Sequence, residues 1–595
     1  MFTEHLISDS ESDLATRAAE NLRIGNLAEA ERLCREVLAS DASHPVACFV
    51  QGCLFERQGQ KSLAVTSLRQ ALQRDPGNAG LHHYLGVLLA GVNEGPLALR
   101  SLDEAVRLNP SDPEIRLSLG RILLAQNMLA ESREVYSQCL RMQPNHPAAL
   151  EGLGDLSLCE NRKPAAEHFY RSALRADSGS AHLLNKLANL LAQRGLSAEA
   201  EECYRKALEH TPDFAEAHFN LGSACGRAGR LKEALYHFRQ AVTLKPSFKE
   251  AWETLALSLE EDGNPQEALA CWERVLQLDA GWIKGRWSCS LALLKMGHLL
   301  EGWANYECRF QIPELIPPRA FNAPLWTGQP FQEQRLLITA EQGLGDTIQF
   351  IRYAPLVKAR GGTVVVECQA TLADLLKSCP GVDEVIASGQ PLPDYDWYVS
   401  LMSLPHIFQT TLETIPSDVP YIRPIRSALG RTPTRPLQVG LAWAGNPKHQ
   451  RDRLRSCRFG ELLPLFKIVG IHWVCLQKEI PASDREPVAT CETLERICLD
   501  DFAATSEQVS GLDLVISVDT SVAHLAGALN VPVWILLAKA SDWRWLLNRD
   551  DSPWYPSARL FRQREPGDWK EVFHRVSEEL REKVASRVES LSKAS

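Results

Sequence analysis

Small and apolar positions return along the first half of the chain every 34 residues, in fixed phases. One phase holds Gly25, Gly59, Asn93, Asn127, Asn161, Gly195, Gly229, Gly263 and Gly297. Five residues later come Ala30, Ala64, Ala98, Ser132, Ala166, Ala200, Ala234, Ala268 and Gly302. A third phase reads Gly52, Gly86, Gly120, Gly154, Ala188, Gly222, Ala256 and Ser290, and a fourth holds Pro76, Pro110, Pro144, Pro212 and Pro246. A period kept without insertion from residue 25 to 302 requires a stacked array, about nine units here. Gly or Asn at the first phase suits a turn with positive φ. Small residues at the second and third let neighbouring backbones approach, and the prolines end one helix and open the next unit. The last unit, residues 298–310, keeps the phase but carries large aromatics, as a capping or docking element would.

The pattern then changes. A Pro-rich bridge (311–334) leads to apolar runs of strand length at 335–340, 363–368 and 382–387, separated by helical segments. A second Pro-rich stretch (416–436) precedes further runs at 437–443, 472–477, 512–518 and 531–537. Alternating strand and helix predicts parallel sheets with crossover helices. Residues 335–425 and 437–575 therefore read as two Rossmann-like lobes joined by a hinge, with a helical tail at 576–595. Ligands of such sheets bind beyond the carboxyl ends of the strands.

The 34-residue phases resemble the tetratricopeptide (TPR) repeat, a pair of antiparallel helices. The resemblance implies a TPR solenoid over residues 11–310, which with the two lobes read from the strand–helix alternation makes an α plus α/β chain. A chain of 595 residues exceeds one core in any case. A net charge of -10 argues against nucleic acid as a main partner. No apolar run has transmembrane length, and the acidic start MFTEHLISDSESDL lacks the form of a signal peptide. The sixteen cysteines are scattered without a CxxC, which reads as reduced structural thiols in a cytoplasmic protein. All fourteen tryptophans lie at or after Trp252, marking a change of architecture near the end of the repeats.

Four segments carry candidate chemistry. In 512–536 a buried strand ends at Asp519-Thr520-Ser521 and an Ala-rich helix begins, whose free N–H groups suit a phosphate; a capped helix without ligand is the plain alternative. In 336–350 a strand runs into a Gly-rich turn with Asp346 at the helix start. Asp346 is either an N-cap or a carboxylate aimed into the cleft, with Gln349, Phe350 and Tyr353 on its face. Residues 442–457 hold Lys448, His449, Arg451, Arg453 and Arg455, suited to a diphosphate or simply a solvated basic loop. Residues 541–556 bring Trp543, Trp545, Trp554 and Tyr555 with Arg544 and Arg549, to stack on a base, clamp the array to the lobe, or fill the core. The DYD at 394–396 has the form of a metal motif but is read as chance.

GLGDTIQFIRYAP together with VDTSVAHLAGAL is similar to the paired motifs of the ADP-heptose:lipopolysaccharide heptosyltransferases, inverting enzymes of the two-lobed GT-B fold. The match spans roughly residues 335–565. With GNPKH, RS and DWRW…SPWYP, the whole chain resembles bacterial TPR proteins fused to a heptosyltransferase-like domain, among them flagellin glycosyltransferases. The layout also resembles O-GlcNAc transferases, although the Asn ladder of their groove is absent: the phase of Asn220 reads Val50, Tyr84, Ser118, Gly152, Lys186, Asn220 and Thr254. The resemblance implies Asp346 as catalytic base, with Gln349 and Tyr353 on the acceptor side. It implies a donor site of Gly345, Asn446, Lys448, His449, Arg455, Ser456, Gln477, Asp519, Thr520, Ser521 and His524. The expected reaction moves a sugar from a nucleotide-sugar to a protein acceptor, flagellin or another surface protein, held by the repeats, with no cofactor or metal. A glycan acceptor and a non-catalytic scaffold with a degenerate transferase domain are the alternatives.

Overall fold

The computed structural model describes residues 4–424, 436–447, 452–497, 499 and 501–594. The chain divides into two compact units, residues 1–228 and 229–595.

The first unit is all helical, thirteen helices running from Glu4–Arg23 to Ala215–Arg227. They pair as antiparallel hairpins whose tight turns sit at the first sequence phase. Gly25, Gly59, Asn93, Asn127, Asn161 and Gly195 all adopt positive φ, between 57° and 82°. Asparagine is the side chain that tolerates this region best after glycine, which explains why only these two types occupy the phase. The third phase is where the two helices of a hairpin touch. A β-carbon on Gly86 would lie 2.6 Å from Leu102 Cγ, and one on Gly154 only 2.4 Å from Tyr170 Cε1. Prolines at the first turn (Pro45, Pro113, Pro147) and side-chain caps from Asn78, Asp112 and Ser180 start the longer-loop helices.

The second unit begins with five more repeat helices, Leu231–Leu244 to Leu299–Tyr306, with the same left-handed turns at Gly229, Gly263 and Gly297. A 3₁₀ turn, Glu307–Gln311, follows. Then come two parallel sheets. The first has four strands, β1 (Arg335–Thr339), β2 (Thr363–Cys368), β3 (Glu384–Ala387) and β4 (Trp397–Ser400), in the order β3-β2-β1-β4. The second has six: β5 (Leu437–Ala442), β6 (Ile471–Cys475), β7 (Leu494–Arg496), β8 (Leu514–Val518), β9 (Val533–Leu537) and β10 (Ala558–Arg562), ordered β10-β9-β8-β5-β6-β7. β1, β2, β5, β8 and β9 are buried almost throughout, as strands covered on both faces must be. In each sheet the chain first builds outward on one side and then returns to the other. The order therefore reverses at β1/β4 and at β5/β8.

Two expected boundaries shift. The bridge 311–334 belongs to the first lobe, since Trp326 and Phe331 are buried in its core and the Trp326 N–H donates to Tyr398 O at 2.8 Å. The tail is no separate element either. One helix, Trp569–Ala594, spans the expected break at 575/576 and buries Val572, Phe573, Val576 and Leu580 in the second lobe.

Candidate functional site

The helices that follow β1 and β8 meet. Leu344–Phe350 packs against Ser521–Ala528, so the two switch points of the two sheets face one another. Gly345 permits the approach: a β-carbon there would lie 2.9 Å from His524 Cδ2 and 3.7 Å from Ser521 Cα. Asp346 is not the N-cap of its helix. Gly343 holds that place, and Asp346, three residues in, accepts the Gly343 N–H at 2.8 Å through Oδ2.

Arg544 occupies the joint. Its guanidinium donates to Asp346 Oδ1, to Gln349 Oε1 (2.8 Å) and to Asp542 Oδ1 (2.8 Å), so it bridges the first lobe's helix and the second lobe's loop after β9. The side chain is almost fully buried. Beneath it, Gln349 is wholly buried and its amide nitrogen has no partner. Arg352 does the equivalent work one turn further on, donating to Gln349 O, Trp554 O, Pro416 O and Tyr421 Oη at 2.6–3.1 Å. Tyr421 in turn donates to Ile348 O at 3.0 Å. The polar chain ends at Tyr555, whose hydroxyl lies 2.9 Å from His524 Nδ1.

His524 and Asp519 form the second-lobe half of the site. His524 stacks on Trp545, with ring centroids 5.4 Å apart, and its Nε2 lies 4.0 Å from Asp519 Oδ1. Burial, and then the positive charge of Arg544, pull His524 down to a pKa of about 3, so the imidazole is neutral at physiological pH. The ring thus meets the Tyr555 hydroxyl through Nδ1 and faces Asp519 through Nε2. Burial, reinforced by the charge of Asp542, pushes Asp519 up to about 6, against the opposing pull of Arg455 and Arg544. The Trp545 indole N–H favours the Asp519 carboxylate, although it is buried without a well-formed hydrogen bond. The helix beginning at Ser521 has no side-chain cap; the Thr520 hydroxyl turns instead to Ser517 Oγ at 2.9 Å.

Other expected site residues serve the loop after β5. Gln477 accepts the N–H groups of Trp443 and Ala444 and donates to Ala444 O and Glu479 O, which commits its amide to bracing. Ser456 accepts the Gly445 N–H at 2.9 Å and donates to Asp452, which also pairs with Arg455 at 3.1 Å. Asn446 is exposed at the tip of this loop. Lys448, His449 and Arg451 lie outside the described residues. Tyr353 departs from the expected acceptor side: its hydroxyl is buried against Thr410 at 2.8 Å, because the helix ends at Phe350 and a 3₁₀ turn rotates the next residues away. Trp543, Trp545 and Trp554 are all buried, and Arg549 pairs with Asp551. Trp543 packs edge-on to Trp303 of the last repeat helix at 5.1 Å, which is the clamp form of that segment. Asp396 of the DYD accepts the Arg335 N–H at 2.7 Å and braces β1. Sequence reasoning missed Arg352 and gave Arg544 no catalytic place. Their only signal is a lone arginine in an aromatic, otherwise apolar run (QFIRY, DWRW).

Tetratricopeptide-repeat family models match residues 49–113, 85–147, 129–181 and 185–247, and a second one matches residues 249–282. The helical array is built of TPR repeats. Protein FlbA of Caulobacter vibrioides is 30% identical over 329 residues, which cover 49% of this chain and 54% of that protein. The chain thus spans about half the length of the curated relative it matches. Among solved structures, YrrB, described as a TPR protein with an unusual peptide-binding site, is 20% identical and covers 31% of this chain and 95% of its own, with a TM-score of 0.26. A TPR protein from Parabacteroides merdae ATCC 43184 is 17% identical over 42% of this chain and 99% of its own, with a TM-score of 0.37. Yeast Tom70 is 16% identical over 45% and 58%, with a TM-score of 0.38.

Among the described residues, no helix is long and apolar enough to cross a membrane. TPR repeats give the chain a protein-binding capacity, and the α/β region adds two parallel sheets that meet at their switch points.

Proposed function

We propose that this protein is an inverting glycosyltransferase of GT-B type that works in the cytoplasm and moves a sugar from a nucleotide-sugar to a protein acceptor recruited by its repeats. The observation that carries this reading is the joint itself. Asp346, beyond β1, is held by one buried arginine, Arg544, whose charge also acts on Asp519 and His524, beyond β8. A nucleoside diphosphate at the start of the Ser521–Ala528 helix would meet its uncapped N–H groups, His524 Nε2 and Arg455. Arg544 would then exchange Asp346 for the more highly charged diphosphate. That exchange frees the Asp346 carboxylate to take the proton of the acceptor hydroxyl. The acceptor oxygen bonds the anomeric carbon as the carbon–phosphate oxygen bond breaks, and the nucleoside diphosphate leaves with the electron pair. Arginine and helix terminus neutralise that leaving group, so the residues present suit a metal-independent reaction.

One observation favours a second reading, a scaffold whose transferase site is idle. Both Asp346 oxygens are engaged, one by Arg544 and one by the Gly343 N–H. The two readings separate in a titration with ADP, UDP, GDP and CMP followed by tryptophan fluorescence. A transferase gives a saturable change with one nucleotide, reduced at least tenfold in Asp519→Ala. A scaffold gives none with any of them. Radiolabelled transfer from the corresponding nucleotide-sugar to flagellin or another surface protein, and its loss on deleting residues 1–228, then tests the protein acceptor against a glycan.

A further inference from the structure

In the first unit, three successive hairpins place a buried tyrosine at one phase, Tyr136, Tyr170 and Tyr204, the first two against Gly120 and Gly154 of the facing helix. Fifteen residues before each tyrosine comes the side chain that meets its hydroxyl. Tyr170 donates to Asp155 Oδ1 at 2.6 Å, and Tyr204 donates to Asn189 Oδ1 at 2.6 Å. For Tyr136 the same place holds Arg121, which has no lone pair to offer. The Tyr136 hydroxyl is accordingly buried with no hydrogen-bond partner. A buried hydroxyl without a partner is destabilising, and a polar group in contact with it would relieve that.

Tyr136 borders a pocket of about 370 Å³ lined also by Arg121, Glu151, Asp155, His182 and Lys186. Gly152 lets its helix close on the Tyr136 ring: a β-carbon there would lie 2.3 Å from Tyr136 Cζ. The charges are already sorted. Lys186 holds Glu151 and Asp155, each at 2.7 Å, and His182 lies 3.6 Å from Glu151. Arg121 makes no ion pair or hydrogen bond among the described residues. The groups left over are therefore the Arg121 guanidinium, which can only donate, and the Tyr136 hydroxyl, which can donate to the same acceptor.

We infer that this pocket is a specificity site for an acidic side chain of the partner polypeptide, its carboxylate taken by Arg121 and the Tyr136 hydroxyl. Only an acceptor satisfies the guanidinium, the hydroxyl can donate to that same acceptor, and the guanidinium's charge selects a carboxylate over a neutral amide. The inference concerns what the repeats bind and holds with or without a transfer reaction.

The test uses the full chain labelled with 3-fluorotyrosine. The chain has 11 tyrosines, and the Tyr136 resonance is the one lost in Tyr136→Phe. The probes are acetyl-Gly-Glu-Gly-amide, its Gln analogue and inorganic phosphate. The chain carries a net charge of -10, which opposes nonspecific attraction of an acidic probe. The site predicts a saturable shift of the Tyr136 resonance with the Glu peptide, at least tenfold weaker with the Gln peptide and with Arg121→Gln. Arg121 is exposed, so that variant keeps the fold. Equal response to Glu and Gln, no response, or response to phosphate alone would each overturn it.

Discussion

Arg544 and Asp346 form an ion pair across the two lobes of the α/β region, and the arginine is more deeply buried than the carboxylate it serves. A buried guanidinium whose partners are removed, or whose partners are left behind, costs about 3–5 kcal/mol. Arg544→Ala takes the cation from Asp346 and Asp542 and the donor from Gln349 Oε1, so it is expected to lower the stability of the second unit by about that much. Arg544→Lys restores a charge but not the three-way fork, and is expected to recover less than half. Urea unfolding followed by tryptophan emission reads this, because all fourteen tryptophans lie at or after Trp252. A midpoint unchanged in Arg544→Ala would mean that the pair contributes nothing to lobe contact.

Gly345 sets how close the two site helices come. An alanine there would press its β-carbon to 2.9 Å from His524, whose ring is fixed between Trp545 and Tyr555 and cannot retreat. Overpacking of this kind costs about 1–3 kcal/mol. Gly345→Ala should destabilise the second unit by that amount and alter the tryptophan emission through the His524–Trp545 contact. Gly460→Ala is the control: nothing lies within 4 Å of its β-carbon, and it is expected to be neutral or slightly stabilising.

Acid–base linkage gives Asp519 an unusual sign. Its folded pKa of about 6 is above the ordinary 3.8, so folding favours its protonated form. That stabilisation is full below pH 4 and is lost as pH rises through 6. A folded pKa displaced by one from the unfolded value corresponds to about 1.4 kcal/mol. Asp519→Asn removes the dependence. The variant should match the wild type near pH 4 and exceed it by about 2–3 kcal/mol at pH 7.5. His524 works oppositely: with a folded pKa of about 3 against 6.5, its neutral form stabilises the fold above pH 6.5 and that stability is lost as pH falls towards 3. The wild type should therefore show a shallow profile between pH 4 and 6, where the two slopes cancel. A difference between Asp519→Asn and wild type that shrinks as pH rises would contradict the assignment.

The nine repeat turns show what was legible in the sequence. Every Gly or Asn of the first phase has positive φ, from Asn161 at 57° to Gly297 at 86°. The phase was readable because the turn constrains one residue sterically, and glycine and asparagine meet that constraint at the lowest cost. β4, β7 and β10 were not readable. β7 is three residues long with two of them exposed, β4 is half-buried, and β10 follows an aromatic loop whose hydrophobicity hides the strand's own period. Asp346, Asp519 and His524 stood out by their motifs. Arg352 and Arg544 did not, because a single arginine in an apolar run gives no periodicity, and only the fold shows that each lies between two lobes.

Glycine and asparagine turns of the repeats should respond differently to substitution. Gly195→Ala puts a β-carbon at φ +79° with open space around it, so its cost is conformational alone, about 1–2 kcal/mol. Asn161→Gly at φ +57° relieves the remaining strain but loosens the unfolded chain, and should fall within about 0.5 kcal/mol of neutral. Thermal melting by far-ultraviolet circular dichroism of the full chain distinguishes them. A Gly195→Ala variant as stable as wild type would show that the turn relaxes out of the left-handed region.

The junction of the last repeat helix with the first lobe carries a second buried pair, and its energetics can be isolated. Arg309 is wholly buried and donates to Glu341 at 2.9 Å, to Ser403 at 2.7 Å and to Glu307 at 2.5 Å. Glu341 follows β1 in the loop that leads to Asp346, and burial raises its pKa in spite of the arginine. Arg309→Met leaves Glu341 without its cation and should cost about 3–5 kcal/mol at pH 7.5. Because the folded pKa of Glu341 is raised, protonation at low pH relieves the stranded charge. The penalty should shrink as pH falls towards 4. Arg309→Met combined with Glu341→Leu removes both charges and should be more stable than Arg309→Met alone at pH 7.5, with the gap closing in acid. A penalty that does not depend on pH would mean that Arg309 acts through its packing on Tyr306 and Phe310, whose rings lie 5.0 and 4.1 Å from the guanidinium, rather than through Glu341.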